Sequence, residues 1–412
     1  MSSALARSVD AVAQPGRLHL AANMIPSPEL AAEIEKQSVY VSPGIRRITV
    51  GAEANSIVIE HDDSEDMDAL QRKASRFLSS MIDGFRALDR RIVASVQRRD
   101  TGPLESNAYA KLKERGWVVE LGLGQVALAG PALALANAIE RQAAGIGREQ
   151  FNGTDRHYPT LIPTEALARC GYITSFPQHL TMVTHLREDF DDIEAFRKAN
   201  LNEKSLQIPK SSALEVHRAC MCPALCYHCY PTLAGRRLPA SGHVETAIGR
   251  ICRYESSNIT GLDRLWEFTQ RSIIWIGTDD FCCALREQAI EVGTELAREW
   301  DVSCTIETAS DPFFAAVTTA KSFWQRSQDL KFELRATVEP ATDGQTRTIA
   351  AASFNLHGTF FGQAFDILDA NAEPACSGCV SWGLERWVLT LFTQHGFDPG
   401  RWPASLRDVV FH

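Results

Sequence analysis

No run in this sequence stays apolar for anything near the ~20 residues that a membrane-crossing helix needs, so a helical membrane span is excluded. The opening residues, 1–17, also lack a continuous apolar core ahead of a cleavage site, and no secretory leader is expected. Positive charge is in deficit: 42 Lys and Arg stand against 51 Asp and Glu, for a net charge of -9. That balance argues against a protein that grips long nucleic acid through its phosphates, while leaving room for a local basic patch. Cysteine is plentiful, but its count of 11 is odd. In a long chain without a leader such thiols are expected to be reduced or to bind metal, not to form a disulfide framework. The cytoplasm is the expected compartment.

What is present is ordinary soluble, globular usage, with 45% hydrophobic and 23% charged residues, in a chain long enough for two or three domains. Residues 1–64 read as a small appendage. A helical pattern starts at Pro28, and two alternating runs, IRRITV and NSIVIEH, flank a hinge at 51–55. No Cys-x-x-Cys lies there to hold a metal, and an acidic run at 62–66 follows as a solvated linker or a helix N-terminus. Residues 65–157 read as a scaffold. Leu70, Phe77, Met81, Phe85, Leu88 and Ile92 recur at helical spacing, which predicts one long amphipathic helix from Met67 to Arg99. A short helix, a hairpin around Gly122 and Gly124, and a helix from Pro131 to Ile146 complete it.

Residues 158–412 alternate strand patterns with turns and are expected to form one large domain. Its organising stretch is Gly249 to Thr278, read as strand, polar loop and strand. Arg253 and Glu255 are two apart, so on a strand they share a face. A guanidinium that can fork onto phosphate, beside a loop that can close over a base, suits a nucleoside triphosphate. A surface ion pair on an edge hairpin would carry the same residues. Further strands are expected at VSCTIETA, KFELRATVE, TIAAASFNLHG and Phe360–Leu368, and a small-residue strand leads into an apolar helix over Ser377–Phe392. The fold class is therefore α+β, an antiparallel sheet flanked by helices and not a doubly wound parallel sheet.

Arg253-x-Glu255 followed by Arg264-x-x-x-Phe268 resembles motif 2 of class II aminoacyl-tRNA synthetases. Gly383-Leu384-Glu385-Arg386 resembles motif 3, and Arg237 to Gly242 resembles the proline-centred motif 1. More narrowly, Ala224 to Tyr227, Ala309 to Phe314, Lys331 to Leu334, Ser353 to Asn355, Asp369 to Asn371 and Ser377 to Val380 are similar to amino acid:carrier-protein ligases. That family is related to the atypical seryl-tRNA synthetase of methanogens. The resemblance runs from about Ala69 to the C-terminus.

The resemblance implies ATP-dependent activation of a small amino acid as an adenylate. It also implies transfer to the phosphopantetheine thiol of an acyl carrier protein, without tRNA and in a homodimer. It places Arg253 at the α-phosphate and carboxylate, Arg386 at the γ-phosphate and Glu255 near the adenine amino group. Asp366 and Asp369 become candidates for Mg²⁺, and Asp311 and Asn355 for the amino-acid substrate. Fixed cations suit such a step because negative charge builds on phosphorus oxygens. Carrier proteins are acidic, so a basic patch at the site's mouth is expected.

The family also implies a Zn²⁺ held by Cys226, a glutamate at the end of motif 2, and Cys379, with the substrate amine as fourth ligand. The glutamate position, four residues after Phe268, is Ser272, a poor zinc ligand. Three readings stay open. Cys222, His228, Cys229 or Cys252 replaces the lost ligand; or the metal is absent; or the substrate has changed or the reaction has been lost. A non-catalytic paralogue and a tRNA-aminoacylating enzyme are the rival functions. The Cys220-x-Cys222-x3-Cys226-x2-Cys229 run is dense enough to bind metal by itself, though not at paired-knuckle spacing. Trp382 is expected to point away from ATP.

Overall fold

The computed structural model describes residues 16–21, 27–50, 56–62, 66–82, 90–209, 211–311, 313, 321, 325, 327–339 and 346–411. They divide into two units. One holds residues 1–87 with 256–258 and 315–323, and the other holds the rest. In the first, β1 (Gly16–Ala21), β2 (Ile45–Val50) and β3 (Ser56–His61) form an antiparallel sheet in the order β1-β3-β2. The helix Met67–Ile82 places Leu70, Ala74, Leu78 and Met81 on one stripe, in one apolar cluster with Ile34, Ile48, Ile57 and Ile59. This unit runs past the boundary read at residue 64.

The single helix expected to reach Arg99 does not form. Ile92–Val96 is instead strand β4, whose backbone is taken up by an antiparallel neighbour in the second unit. Phe85 and Leu88 lie outside the described residues.

The second unit contains a hairpin, β5 (Val118–Gly122) and β6 (Gln125–Leu128), and a helix over Gly130–Glu149. Strand β7 (Thr154–His157) follows. A small sheet is built from β8 (Leu161–Pro163), β9 (Met182–Leu186) and β10 (Leu214–Met221). Then come β11 (His243–Cys252), β12 (Glu267–Gly277), β13 (Cys304–Thr308), β14 (Lys331–Thr337), β15 (Thr348–Gly358) and β16 (Cys376–Gly383). They make one eight-stranded sheet in the order β4-β13-β14-β15-β16-β12-β11-β7, antiparallel except for the parallel β11–β7 pair. The expected antiparallel α+β class is what forms.

Period-two alternation sorts this sheet into two faces. Ile273, Trp275, Phe332, Phe354, Val380 and Trp382 lie in a core shared with the helices Gly130–Glu149, Asp279–Glu299 and Leu384–His395. Trp382 lies in this core, on the face opposite Ser381. On the opposite face the short helix Cys226–Thr232 packs beside Phe360–Phe365. Phe360–Phe365 is a helix where the reading above had a strand. Phe361 and Phe365 are one helical turn apart and both buried, and that spacing fits a helix as well as it fits a short strand. Among the described residues no helix is long and apolar enough to cross a membrane.

Candidate active site

The motif 2 stretch forms the expected strand–loop–strand, β11 and β12, but β11 ends at Cys252. Arg253 and Glu255 therefore stand in the loop just beyond the strand, not on one strand face as expected. Between them the strands lay down rows of directly opposed residues on the open face. One row runs Lys331, Asn355, Cys379, Ile274, Glu245 across β14, β15, β16, β12 and β11. The next runs Glu333, Ser353, Ser381, Ser272, Ala247. A third sets Gly249, Gln270 and Gly383 side by side. Ser353, Ser381 and Gly383 keep the middle of these rows small, while Leu225 covers Gly249 and Ala247 at the β11 end.

Above this floor the charges gather. Arg386, at the start of the Leu384–His395 helix, donates from Nε to Asp263 O at 2.8 Å and from Nη1 to Ala350 O at 2.9 Å. Burial holds its pKa down, Glu255 and Glu333 oppose that, and Arg264 and Arg253 add to it. Three guanidiniums near enough to repel one another are held by backbone carbonyls and by interleaved carboxylates. Such a site has its charges fixed in place for a polyanion. Arg253 is pinned by Nε to Pro223 O at 2.8 Å and lies 5.8 Å over the Phe268 ring. Glu255 accepts from Arg264 Nη1 at 3.0 Å. Glu385 is buried against Thr269, whose backbone N–H and hydroxyl donate to it at 2.9–3.0 Å, and burial raises its pKa.

Beside the arginines, Lys331 Nζ donates to Asp311 at 2.5 Å, and Gln325 Nε2 donates to its other oxygen at 2.7 Å. Burial alone would raise the Asp311 carboxyl, but Lys331 outweighs it and the pKa falls to about 2. Asn355 Nδ2 donates to Cys379 Sγ at 3.4 Å and to Ser353 Oγ at 3.3 Å. Tyr172, which sequence reasoning passed over, adds a buried hydroxyl with no partner among the described residues; Arg253, Glu255 and Asp311 all act on it.

The two expected Mg²⁺ carboxylates are placed otherwise, on a helix end and a turn and not on a strand. Asp366 caps the Phe360–Phe365 helix in the left-handed region, largely exposed and 3.6 Å from Arg169. Asp369 is buried, and one of its oxygens accepts the backbone N–H of Asn371 at 2.8 Å and of Glu373 at 3.1 Å, closing a turn.

Cys226 and Cys379 do meet. Cys226 donates to Cys379, whose pKa is well below the usual thiol value because of that bond and of donation from His357 and Asn355; the same bond pushes Cys226 up. Among the described residues a third zinc donor is not built there. Ser272 is fully buried with its Oγ 2.7 Å from Ser381 Oγ, and the residue opposite Cys379 is Ile274. His357 Nε2 reaches Cys379 at 4.0 Å. Among the described residues, the one group of three His, Cys, Asp or Glu whose ligand atoms all lie within 4.8 Å is Cys229, His243 and Glu245. The family's zinc therefore does not fit the Cys226–Cys379 pair, since two thiols leave a tetrahedral ion under-coordinated. Glu245 was missed because no motif surrounds it. Its one signal was His243 two residues earlier, on the same strand face.

No family model matches the chain. Among curated proteins it is 33% identical over 274 residues to amino acid–acyl-carrier-protein ligase 1 of Bradyrhizobium diazoefficiens, covering 66% of this chain and 81% of that one. It is 27% identical over 334 residues to the type-2 serine–tRNA ligase of Methanopyrus kandleri, covering 76% of this chain and 62% of that one. Among solved structures, M. kandleri seryl-tRNA synthetase in complex with A. aeolicus tRNASec matches with a TM-score of 0.69 at 20% identity, over 96% of this chain and 77% of that one. Seryl-tRNA synthetase from Pyrococcus horikoshii complexed with ATP matches with a TM-score of 0.55 at 13% identity, over 83% and 68%. The class is thus that of ATP-dependent ligases on the class II aminoacyl-tRNA synthetase fold. Within it, the chain belongs to the amino acid–acyl-carrier-protein ligase family.

Proposed function

We propose that this protein joins an amino acid to ATP as an aminoacyl-adenylate and passes it to the phosphopantetheine thiol of an acyl carrier protein. The observation that carries the reading is the convergence of Arg253, Arg264 and Arg386 with Glu255 over a floor of small residues. In the first step a carboxylate oxygen attacks the α-phosphorus and pyrophosphate leaves. Arg253 meets the α-phosphate and carboxylate, Arg386 the γ-phosphate, and Glu255 the adenine amino group. In the second step the thiolate attacks the acyl carbon and AMP leaves. Neither nucleophile needs a side-chain base once it is held in place.

Asp311, Asn355 and Tyr172 take the amino-acid end in this reading. Mg²⁺ would arrive on the triphosphate, since Asp366 and Asp369 are engaged elsewhere. No step is routed through zinc at Cys226 and Cys379, so the amine is selected by polar side chains in this protein. A cytoplasmic homodimer, with 158–412 as the catalytic domain, completes the reading. ATP–pyrophosphate exchange across a panel of amino acids tests it, followed by transfer assays with carrier protein and with tRNA. Exchange with one small amino acid and labelling of the carrier alone is the expected result. No exchange with any amino acid would point to a non-catalytic paralogue.

A further inference from the structure

The geometry points to a second metal site in this chain, a zinc-class divalent cation held by Cys229, His243 and Glu245 and separate from the Cys226–Cys379 pair. Glu245 lies near the start of β11, paired on both sides with β12 and β7, and its side chain is fully buried. His243 stands two residues earlier on the same face, with Nε2 3.0 Å from Glu245 Oε2. Cys229 comes down from the Cys226–Thr232 helix and hydrogen-bonds the same carboxylate. All three ligand atoms lie within 4.8 Å of one another. A tetrahedral zinc with bonds of roughly 2.0–2.3 Å sets its donors about 3.3–3.8 Å apart, so a small inward adjustment closes the site.

The surroundings suit a cation. A carboxylate with no exposure costs several kcal/mol unless it is paired. Besides His243 at 3.0 Å, its cationic neighbour is Arg156, half exposed and 3.6 Å away, an ion-pair distance and not a hydrogen bond. The Tyr158 hydroxyl donates to the other carboxylate oxygen and fixes its orientation, as the outer partner of a metal ligand does. A divalent cation with one thiolate, one carboxylate and a neutral imidazole has no net charge, which is the charge a buried site tolerates. On binding, the Cys229 thiol gives its proton to solvent, and His243 exchanges its bond to Glu245 for one to the metal. Three protein donors leave the fourth position for water or an external donor.

The placement also accounts for Ile274. Glu245 is directly opposite Ile274, which is directly opposite Cys379. One turn of helix carries two thiols, Cys226 toward Cys379 and Cys229 toward Glu245. The thiol three residues along the helix from Cys226 meets the carboxylate that lies one strand across from Ile274.

The experiment measures metal in the purified full-length chain after dialysis against metal-free buffer and reloading with Zn²⁺ alone. Roughly one tightly held zinc per chain is expected in the wild type and in Cys379→Ala. His243→Ala, Cys229→Ala and Glu245→Gln should lose it, and Tyr158→Phe should bind about 10–100-fold more weakly. Cobalt in place of zinc should give a thiolate-to-metal absorption that Cys229→Ala removes. If Cys229→Ala or Glu245→Gln fails to fold, the partly exposed His243→Ala still carries the test, with circular dichroism to establish its fold. Absence of zinc from the wild type overturns the assignment. So does zinc that survives His243→Ala, or zinc that disappears with Cys379→Ala.

Discussion

Ile274 and Cys379 stand opposite one another on β12 and β16, packed in the same cluster as Cys226. A donor at that position, and not at Ser272, would complete a three-ligand set with the two thiols. Ile274→Glu should therefore create a zinc site. In metal-free buffer the variant should lose roughly 3–5 kcal/mol, the cost of an uncompensated buried charge, and zinc should restore most of it. Ser272→Glu should break the 2.7 Å serine pair, be destabilised, and gain no more from zinc than the wild type gains. Thermal melts of both variants with and without added zinc give the answer. Rescue of Ser272→Glu, or none of Ile274→Glu, would overturn this register argument.

The difference between Ser272 and Ile274 shows what the sequence could and could not convey. Counting from Phe268 gives a position along one strand, whereas a metal site is set by the residue across the ladder. The hairpin from Gly249 to Thr278 was legible because turn residues separate two β-rich runs. The meeting of Arg253 with Arg386 was legible because each sits in a motif. Glu245 and Tyr172 were not, since each acts through its neighbours in space and belongs to no local pattern. Phe360–Phe365 and Ile92–Val96 were misread because a few apolar residues suit either period, and tertiary pairing decides between them.

Asp311 gives a signed pH expectation. Its folded pKa of about 2 lies below the ordinary carboxyl value of 3.8. Its contribution to stability is thus complete above the ordinary value and is lost as pH falls through the folded one. The gap in melting temperature between wild type and Asp311→Asn should be constant from neutrality to about pH 4 and narrow below that. A gap already closing above pH 5 would mean that Lys331 is not holding the carboxylate down.

Gly378 sits beside Cys379, where a Cβ would lie 2.6 Å from Asn355 O and also against the Trp275 ring nitrogen. Neither neighbour is a flexible chain end, so β15 and β16 must separate. Gly378→Ala should cost about 1–3 kcal/mol by denaturant titration. It should also raise KM for the amino acid more than KM for ATP, because the shift falls on Asn355 and Cys379. An unchanged unfolding midpoint would place more slack in the sheet than these distances allow.

The arginines separate binding from catalysis. Arg386 is fixed by two backbone carbonyls, so its charge is in place before ATP arrives, and such preorganised charge acts mainly on the transition state. Arg386→Ala and Arg253→Ala should each lower kcat for ATP–pyrophosphate exchange by about 10²–10³-fold. Arg264 donates to Glu255 at 3.0 Å, and Arg264→Ala removes one of the contacts that orient the carboxylate proposed to meet the adenine. Its main effect should be a higher KM for ATP with kcat nearly kept, the mark of lost uniform binding. Arg386→Lys keeps the charge but cannot span both carbonyls, so it should behave like the alanine variant in kcat. Full activity in Arg386→Lys would reduce that residue to a point charge. A kcat loss in Arg264→Ala equal to that in Arg386→Ala would mean that all three guanidiniums act on the reacting phosphates together.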